Sequence, residues 1–105
     1  MPRVVIQPAG YAIEARHDET IMGAARRLGY YWPTTCGGQA ICTTCVCLVE
    51  EGAENLAPMG RSERAALLEE RGRAALSQPL RLACQARVRG DVTVRKLGVL
   101  PPLAT

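Results

Sequence analysis

Five cysteines in a chain of 105 residues are the side chains best suited to chemistry. Cys36, Cys42, Cys45 and Cys47 are crowded together, and Cys84 stands alone. In an intracellular chain, clustered thiols serve metal or redox chemistry more often than structural disulfides. His17 is the only histidine, which excludes sites needing two imidazoles, a two-Cys two-His zinc finger and a Rieske-type centre among them. The spacing C-x5-C-x2-C puts the thiolates of Cys36, Cys42 and Cys45 on one tight loop, and Cys84 follows after 38 further residues. A remote fourth ligand can close such a loop around a compact metal centre and pin it to a distant segment. Gly37 and Gly38 allow close backbone approach, so that N–H groups can point at sulfur, stabilise an anionic centre and raise its reduction potential. Structural zinc held by four thiolates is the alternative. Zinc sites of that kind usually pair two short C-x2-4-C knuckles, and only Cys42 with Cys45 makes one, so the three-plus-one spacing favours an iron–sulfur cluster. A thioredoxin-like redox site is not expected, because no βαβ context surrounds Cys42.

The elements that must position these thiols can be read from apolar periodicity. Arg3 to Gln7 is a β-branched run closed by Pro8-Ala9-Gly10, after which Tyr11, Ile13 and Ala15 alternate with polar residues, predicting a β-hairpin. Thr20 is a candidate N-cap for a short helix with Ile21, Ala24, Ala25 and Leu28 on one face and Gly29 as its stop; Asp18 and Glu19 suit the positive end of its dipole. Tyr30, Tyr31 and Trp32 are expected to plug the core just before the cysteine loop. Val46 to Val49 predicts a strand ending at Glu50-Glu51-Gly52. Ser62 is expected to cap a second helix whose apolar face uses Ala65, Leu68 and Leu67. Leu80, Leu82 and Val88 lead through Gly90-Asp91 to Val92 and Val94, predicting two late strands joined at a turn. The tail from Leu97 to Thr105 either wraps an apolar face or frays.

Composition bounds the function classes. The 105 residues, 48% of them apolar, suffice for one small domain, with a core over about residues 3–96. No apolar run approaches the roughly 18 residues that cross a bilayer, and the first residues do not form a signal peptide, so a cytoplasmic protein without membrane insertion is expected. Thirteen basic residues against ten acidic ones give a formal charge of +3, with no basic run, and nucleic-acid binding is not expected.

Two segments, Cys36-Gly37-Gly38-Gln39-Ala40-Ile41-Cys42-Thr43-Thr44-Cys45 and Arg81-Leu82-Ala83-Cys84-Gln85, resemble the 2Fe-2S ferredoxins of the adrenodoxin and putidaredoxin-like type, which includes bacterial cluster-assembly ferredoxins. The resemblance runs from about Arg3 to Arg95. It implies an α+β, β-grasp fold, with a small mixed sheet crossed by a helix and a cluster-binding loop near the surface at one end. By motif match it implies one 2Fe-2S cluster held by Cys36, Cys42, Cys45 and Cys84. The chain departs from the family at two places. Val46 stands where many members have His after the third ligand. The stretch Arg61 to Arg73 carries four arginines with Glu63, Glu69 and Glu70, where adrenodoxin-like members carry an acidic recognition helix.

The expected function is therefore one-electron transfer and not catalysis, since no acid, base or nucleophile constellation forms an active site. The resemblance implies a flavin-dependent NAD(P)H ferredoxin reductase as donor and a cytochrome P450 or another oxygenase as acceptor. The alternative is a ferredoxin supplying electrons to iron–sulfur cluster assembly, which the run from Cys42 to Cys47 resembles. A monomer is expected. Cys47 is expected to be a buried small side chain, with cluster transfer or substitute ligation as its sharper role. His17 is expected at the surface, and Arg87, Arg89 and Arg95 on a solvated sheet face. With the cluster bound, the net charge falls to about +1 oxidised and about zero reduced. Docking is then expected to depend on short-range contact around the cluster loop, involving Ile41 or Trp32, with only a few-fold dependence on salt.

Overall fold

The computed structural model describes residues 2–33 and 45–102, without the side chains of Ala75 and Leu76. Alternation in the first segment produces strands β1 (Arg3–Gln7) and β2 (Tyr11–Glu14), an antiparallel pair with Val4 opposite Ile13. Helix α1 (Ile21–Arg27) follows, then β3 (Val46–Glu51), helix α2 (Arg61–Arg71), β4 (Leu80–Leu82) and β5 (Val92–Arg95). The sheet order is β2-β1-β5-β3-β4, in which β1 and β5 are parallel and the other pairs antiparallel. This mixed sheet with helices is the expected α+β, β-grasp architecture. Because side chains alternate along a strand, Val4, Ile6, Ile13, Val49, Leu82, Val92 and Val94 all go into one buried cluster, joined by Ile21, Ala24 and Ala25 of α1.

The start of α1 is satisfied throughout, and the way it is satisfied matters for the site. The Thr20 hydroxyl accepts from Gly23 N–H at 3.0 Å, as the capping reading expects. The N–H groups of Ile21 and Met22 donate to the carbonyls of Ala86 (3.0 Å) and Ala83 (2.9 Å), which bracket Cys84. Helix α1 thus uses its otherwise unpaired first amides to fix the segment that carries a candidate ligand. Gly29 ends the helix with φ +89°, while Leu28 becomes the C-cap and is 39% exposed, not part of the buried face.

Helix α2 departs from expectation in two ways. Its N-cap is Gly60, with no side-chain cap, so Ser62 lies inside the first turn. Its buried residues are Glu63, Ala66 and Leu67, whereas Ala65 and Leu68 face outward. The cause is Glu63, only 1% exposed and not part of the expected apolar face. Its carboxylate accepts two bonds from Arg81, at 2.7 and 3.0 Å, and one from Leu82 N–H at 2.9 Å. That fork rolls the helix so that its N3 residue points at β4.

The late strands are also not a hairpin. Strand β4 pairs with one edge of β3 and β5 with the other. Between them Val88 bridges to Leu56, and Asn55 secures the turn: its carbonyl accepts from Arg89 N–H at 2.7 Å and its side-chain amide donates to the Asp91 carbonyl at 2.7 Å. Gly52 sits against that turn at φ +82°, where a Cβ would meet the Asp91 carbonyl. In the described part of the tail Val99 is buried and Leu100 bridges to Tyr31, while Leu97 and the side chain of Leu100 stay exposed.

Two outcomes follow from these pairs. Glu63→Ala leaves Arg81, 12% exposed, without its counter-charge, and should cost about 3–5 kcal/mol in denaturant unfolding, most of it recovered when Arg81 is also replaced by Met. The Glu19 carboxyl is held below its ordinary range first by its bond to Arg27, at 2.8 Å, and then by Arg16 N–H, against an opposing effect of burial. A depressed carboxyl stabilises the fold above its unfolded value, and that contribution disappears on acidification. The stability of Glu19→Gln should therefore fall less steeply below about pH 4.5 than that of the parent.

Candidate metal centre

Of the four expected ligands, Cys45 and Cys84 are among the described residues, and Cys36, Cys42 and the glycines Gly37 and Gly38 lie outside them. Cys45 immediately precedes β3, and Cys84 sits two residues beyond β4, so the pairing of β3 with β4 brings the two together. Both thiols are buried, with their Sγ atoms 3.3 Å apart. That separation is far longer than the roughly 2.05 Å of a disulfide. It approaches the roughly 3.7 Å between two thiolates on one tetrahedral metal with bonds of about 2.3 Å. The pair can therefore offer two sulfur ligands to one metal ion with little rearrangement. Two soft anionic donors, placed beside a segment with two further thiols, suit an iron–sulfur centre.

The backbone around the pair is held from three directions. Trp32, 2% exposed, donates its indole N–H to the Cys45 carbonyl at 3.1 Å. Ala83 N–H reaches the same carbonyl at 3.4 Å, and α1 holds the carbonyls of Ala83 and Ala86. Trp32 is thus a core plug, as its aromatic cluster suggests. It cannot serve as the exposed docking contact expected of it, because its surface is used up in packing; Ile41 lies outside the described residues. Tyr31, by contrast, is 55% exposed, and Tyr30 packs against Tyr11 with ring centroids 5.4 Å apart.

Gln85 is a site residue that sequence reasoning quoted only as part of a motif. Its side-chain amide lies 3.7 Å from Cys84 Sγ, an N–H donor beside a candidate ligand sulfur. Cys47 is buried at 2%, with its thiol directed to the Arg81 carbonyl at 3.6 Å. Burial pushes that thiol up to about 12, so it remains protonated at neutral pH and behaves as an apolar side chain. His17 is exposed beside Asp18, and Val46 is a half-buried strand residue opposite Leu82. Arg89 and Arg95 are ion-paired with Asp18 and Glu50, so the three arginines Arg87, Arg89 and Arg95 do not form one continuous basic stripe.

Known proteins agree with this chemistry. The family described as the 2Fe-2S iron–sulfur cluster binding domain matches residues 4–89. The chain is 36% identical over 96 residues to 2Fe-2S ferredoxin-5 of Aquifex aeolicus, covering 90% of this chain and 97% of that protein. Among solved structures, the ISC-like 2Fe-2S ferredoxin of Pseudomonas putida is similar with a TM-score of 0.69 and 25% identity, covering 100% of both chains. An Amycolatopsis cytochrome P450 reductase is similar with a TM-score of 0.75 and 25% identity, covering 98% of this chain and 28% of that one.

Trp32→Phe tests how much the indole bond contributes to the site. It should lower stability by about 1–2 kcal/mol, through loss of one buried hydrogen bond and some packing, and should shorten the lifetime of the visible absorbance on warming. A variant as stable as the parent would show that the Cys45 carbonyl does not depend on Trp32.

Proposed function

Because the chain belongs to the family of 2Fe-2S cluster-binding ferredoxins and is a ferredoxin-type electron carrier, we propose that it passes single electrons from an NAD(P)H-dependent flavoprotein ferredoxin reductase to a cytochrome P450 or another oxygenase. The ligand set we propose is Cys36, Cys42, Cys45 and Cys84, and the observation that carries it is the pair of buried thiols, Cys45 and Cys84, 3.3 Å apart. When bound, the cluster supplies reversible one-electron redox chemistry. This chain's residues supply the rest: α1 and Trp32 hold the ligand backbone, Gln85 offers a donor beside sulfur, and the buried Cys47 stays clear of the metal. The family replaces the zinc alternative. The reading treats the protein as a carrier and not an enzyme, acting as a monomer in the cytoplasm; no helix among the described residues is long and apolar enough to cross a membrane.

The oxygenase reading is supported by the likeness to part of the Amycolatopsis cytochrome P450 reductase, which places a similar fold in a chain named for that role. Electron supply to cluster assembly is the second reading, supported by the likeness over the full length to the ISC-like ferredoxin. Anaerobic single-turnover mixing separates them. The reduced protein should pass one electron to the ferric haem of a substrate-loaded cytochrome P450, seen as the ferrous–carbonyl absorbance under carbon monoxide, and preferential consumption by a sulfur-mobilising assembly reaction would select the second reading.

The ligand set makes its own demands. Freshly purified protein should contain two irons and two sulfides per chain and give an EPR signal after one-electron reduction. Replacing Cys36, Cys42, Cys45 or Cys84 by Ala should abolish or severely destabilise the cluster, while Cys47→Ala should keep it at a modest packing cost. Stoichiometric zinc without iron, or a cluster that survives Cys84→Ala but not Cys47→Ala, would overturn the assignment.

A further inference from the structure

A net charge near zero hides how charge is distributed around Cys84. A groove of about 390 Å³ is lined by Gln85, the residue after Cys84, with Arg87 and Arg89, and by Pro58, Gly60 and Arg61. Gln85 links this groove to the ligand sulfur, with its amide 3.7 Å from Cys84 Sγ. Glu63 also borders the groove, but its carboxylate is buried and occupied by Arg81 and Leu82. Asp18 is the other acid that bears on it: it pairs with Arg89 at 2.9 Å and is near enough to Arg87 to be influenced by its charge. Among the residues lining the groove, the guanidinium groups of Arg61, Arg87 and Arg89 are thus set against the buried Glu63, and Asp18 pairs with Arg89.

Helix α2 adds to the imbalance. Arg61 and Arg64 are both exposed, three residues apart, and neither makes an ion pair among the described residues. Like charges at that spacing repel, and positive charge in a first turn opposes the helix dipole. Glu69 and Glu70, which balance the charge in the sequence, lie at the other end of the helix.

We propose that the arginine-lined groove between the start of α2 and the segment Gln85–Arg89 is the surface on which a redox partner docks, and that this partner presents carboxylates. This deepens the electron-carrier reading and rests on it. The chemistry is charge complementarity: guanidinium groups bind carboxylates through two parallel hydrogen bonds, and a rim of one sign next to the electron's exit both orients the encounter and raises its frequency. The expected recognition is thus acidic partner onto basic carrier, and it should weaken as salt screens it, more than the near-neutral net charge implies.

Two small oxidants of opposite charge test the groove without a biological partner. The holoprotein, reduced by dithionite and freed of excess reductant, is mixed by stopped flow with the anionic cobalt(III)–EDTA complex or with cationic hexaamminecobalt(III). In each reaction one electron leaves the reduced protein and converts Co(III) to Co(II). Between about 20 and 200 mM salt the rate with the carboxylate-bearing anion should fall about threefold, and the rate with the cation should not fall. Arg61→Gln/Arg87→Gln should remove the fall for the anion while leaving the visible spectrum unchanged. Arg3→Gln/Arg26→Gln, which changes the net charge equally at residues that do not line the groove, should retain it. Equal salt responses for both oxidants, or identical behaviour of the two double variants, would overturn the docking surface while leaving the carrier intact. If neither complex oxidises the reduced protein, the electron-carrier reading fails and the docking surface fails with it.

Discussion

Two thiols 39 positions apart in the chain stand 3.3 Å from each other, and much of the fold can be understood as the means of keeping them there. Bringing distant residues together costs chain entropy, and burying two groups that become anionic on metal binding adds a desolvation cost. Neither can be met by the cysteines themselves before a metal is bound. Strand pairing between β3 and β4 supplies the first restraint, because it fixes the relative register of the residues next to each thiol. The amides at the start of α1 supply the second by donating to carbonyls on either side of Cys84. The Glu63 fork supplies the third, gripping both the side chain of Arg81 and the backbone of Leu82 just upstream.

These restraints are of different physical kinds, and the differences matter. Ladder bonds and helix-end bonds pair neutral groups and contribute modestly, but leaving any of them unmade in the interior would be expensive. The Glu63–Arg81 pair is charge-assisted and bidentate, with one partner almost wholly out of water. Its net stabilisation over an apolar pair is small, yet loss of one partner would strand a charge beside the ligand segment. Such a pair specifies geometry more than it raises stability. That suits a site in which the positions of two sulfurs must be set in advance of the metal.

What the sequence made legible follows the range of the interactions. Local rules found the β1–β2 hairpin, the Thr20 cap and the stop at Gly29, because each is decided within a few residues. Thiol spacing pointed to the chemistry because a metal tolerates few donor sets. The failures came where a distant partner overrides local pattern. Leu67 is buried as expected, but Glu63, held by Arg81, turns inward with Ala66, and Ala65 and Leu68 face outward. Leu82 and Val92 looked like flanks of one hairpin, but β3 separates β4 from β5 in the sheet. Trp32 was legible as a core residue and misread as a docking contact, since nothing local announces that its N–H is committed to Cys45.

The same burial explains why charge counted along the chain misleads about charge at the surface. Arg61 to Arg73 alternates signs in sequence, which suggests a balanced helix face. Once Glu63 goes inward to hold Arg81, its negative charge is cancelled in the interior and the exposed start of α2 is left with arginines alone. A helix optimised only for stability would place acids in that turn, where about 0.3–1 kcal/mol per charge is available from the dipole. Here the acid in that turn is spent on the tether, and the exposed positions oppose the dipole. Local rules are broken most often where another demand is being met. The residue that positions Cys84 from behind is thus the one whose withdrawal gives the neighbouring surface its sign, so the geometry of the site and the electrostatics of its rim are set by a single side chain.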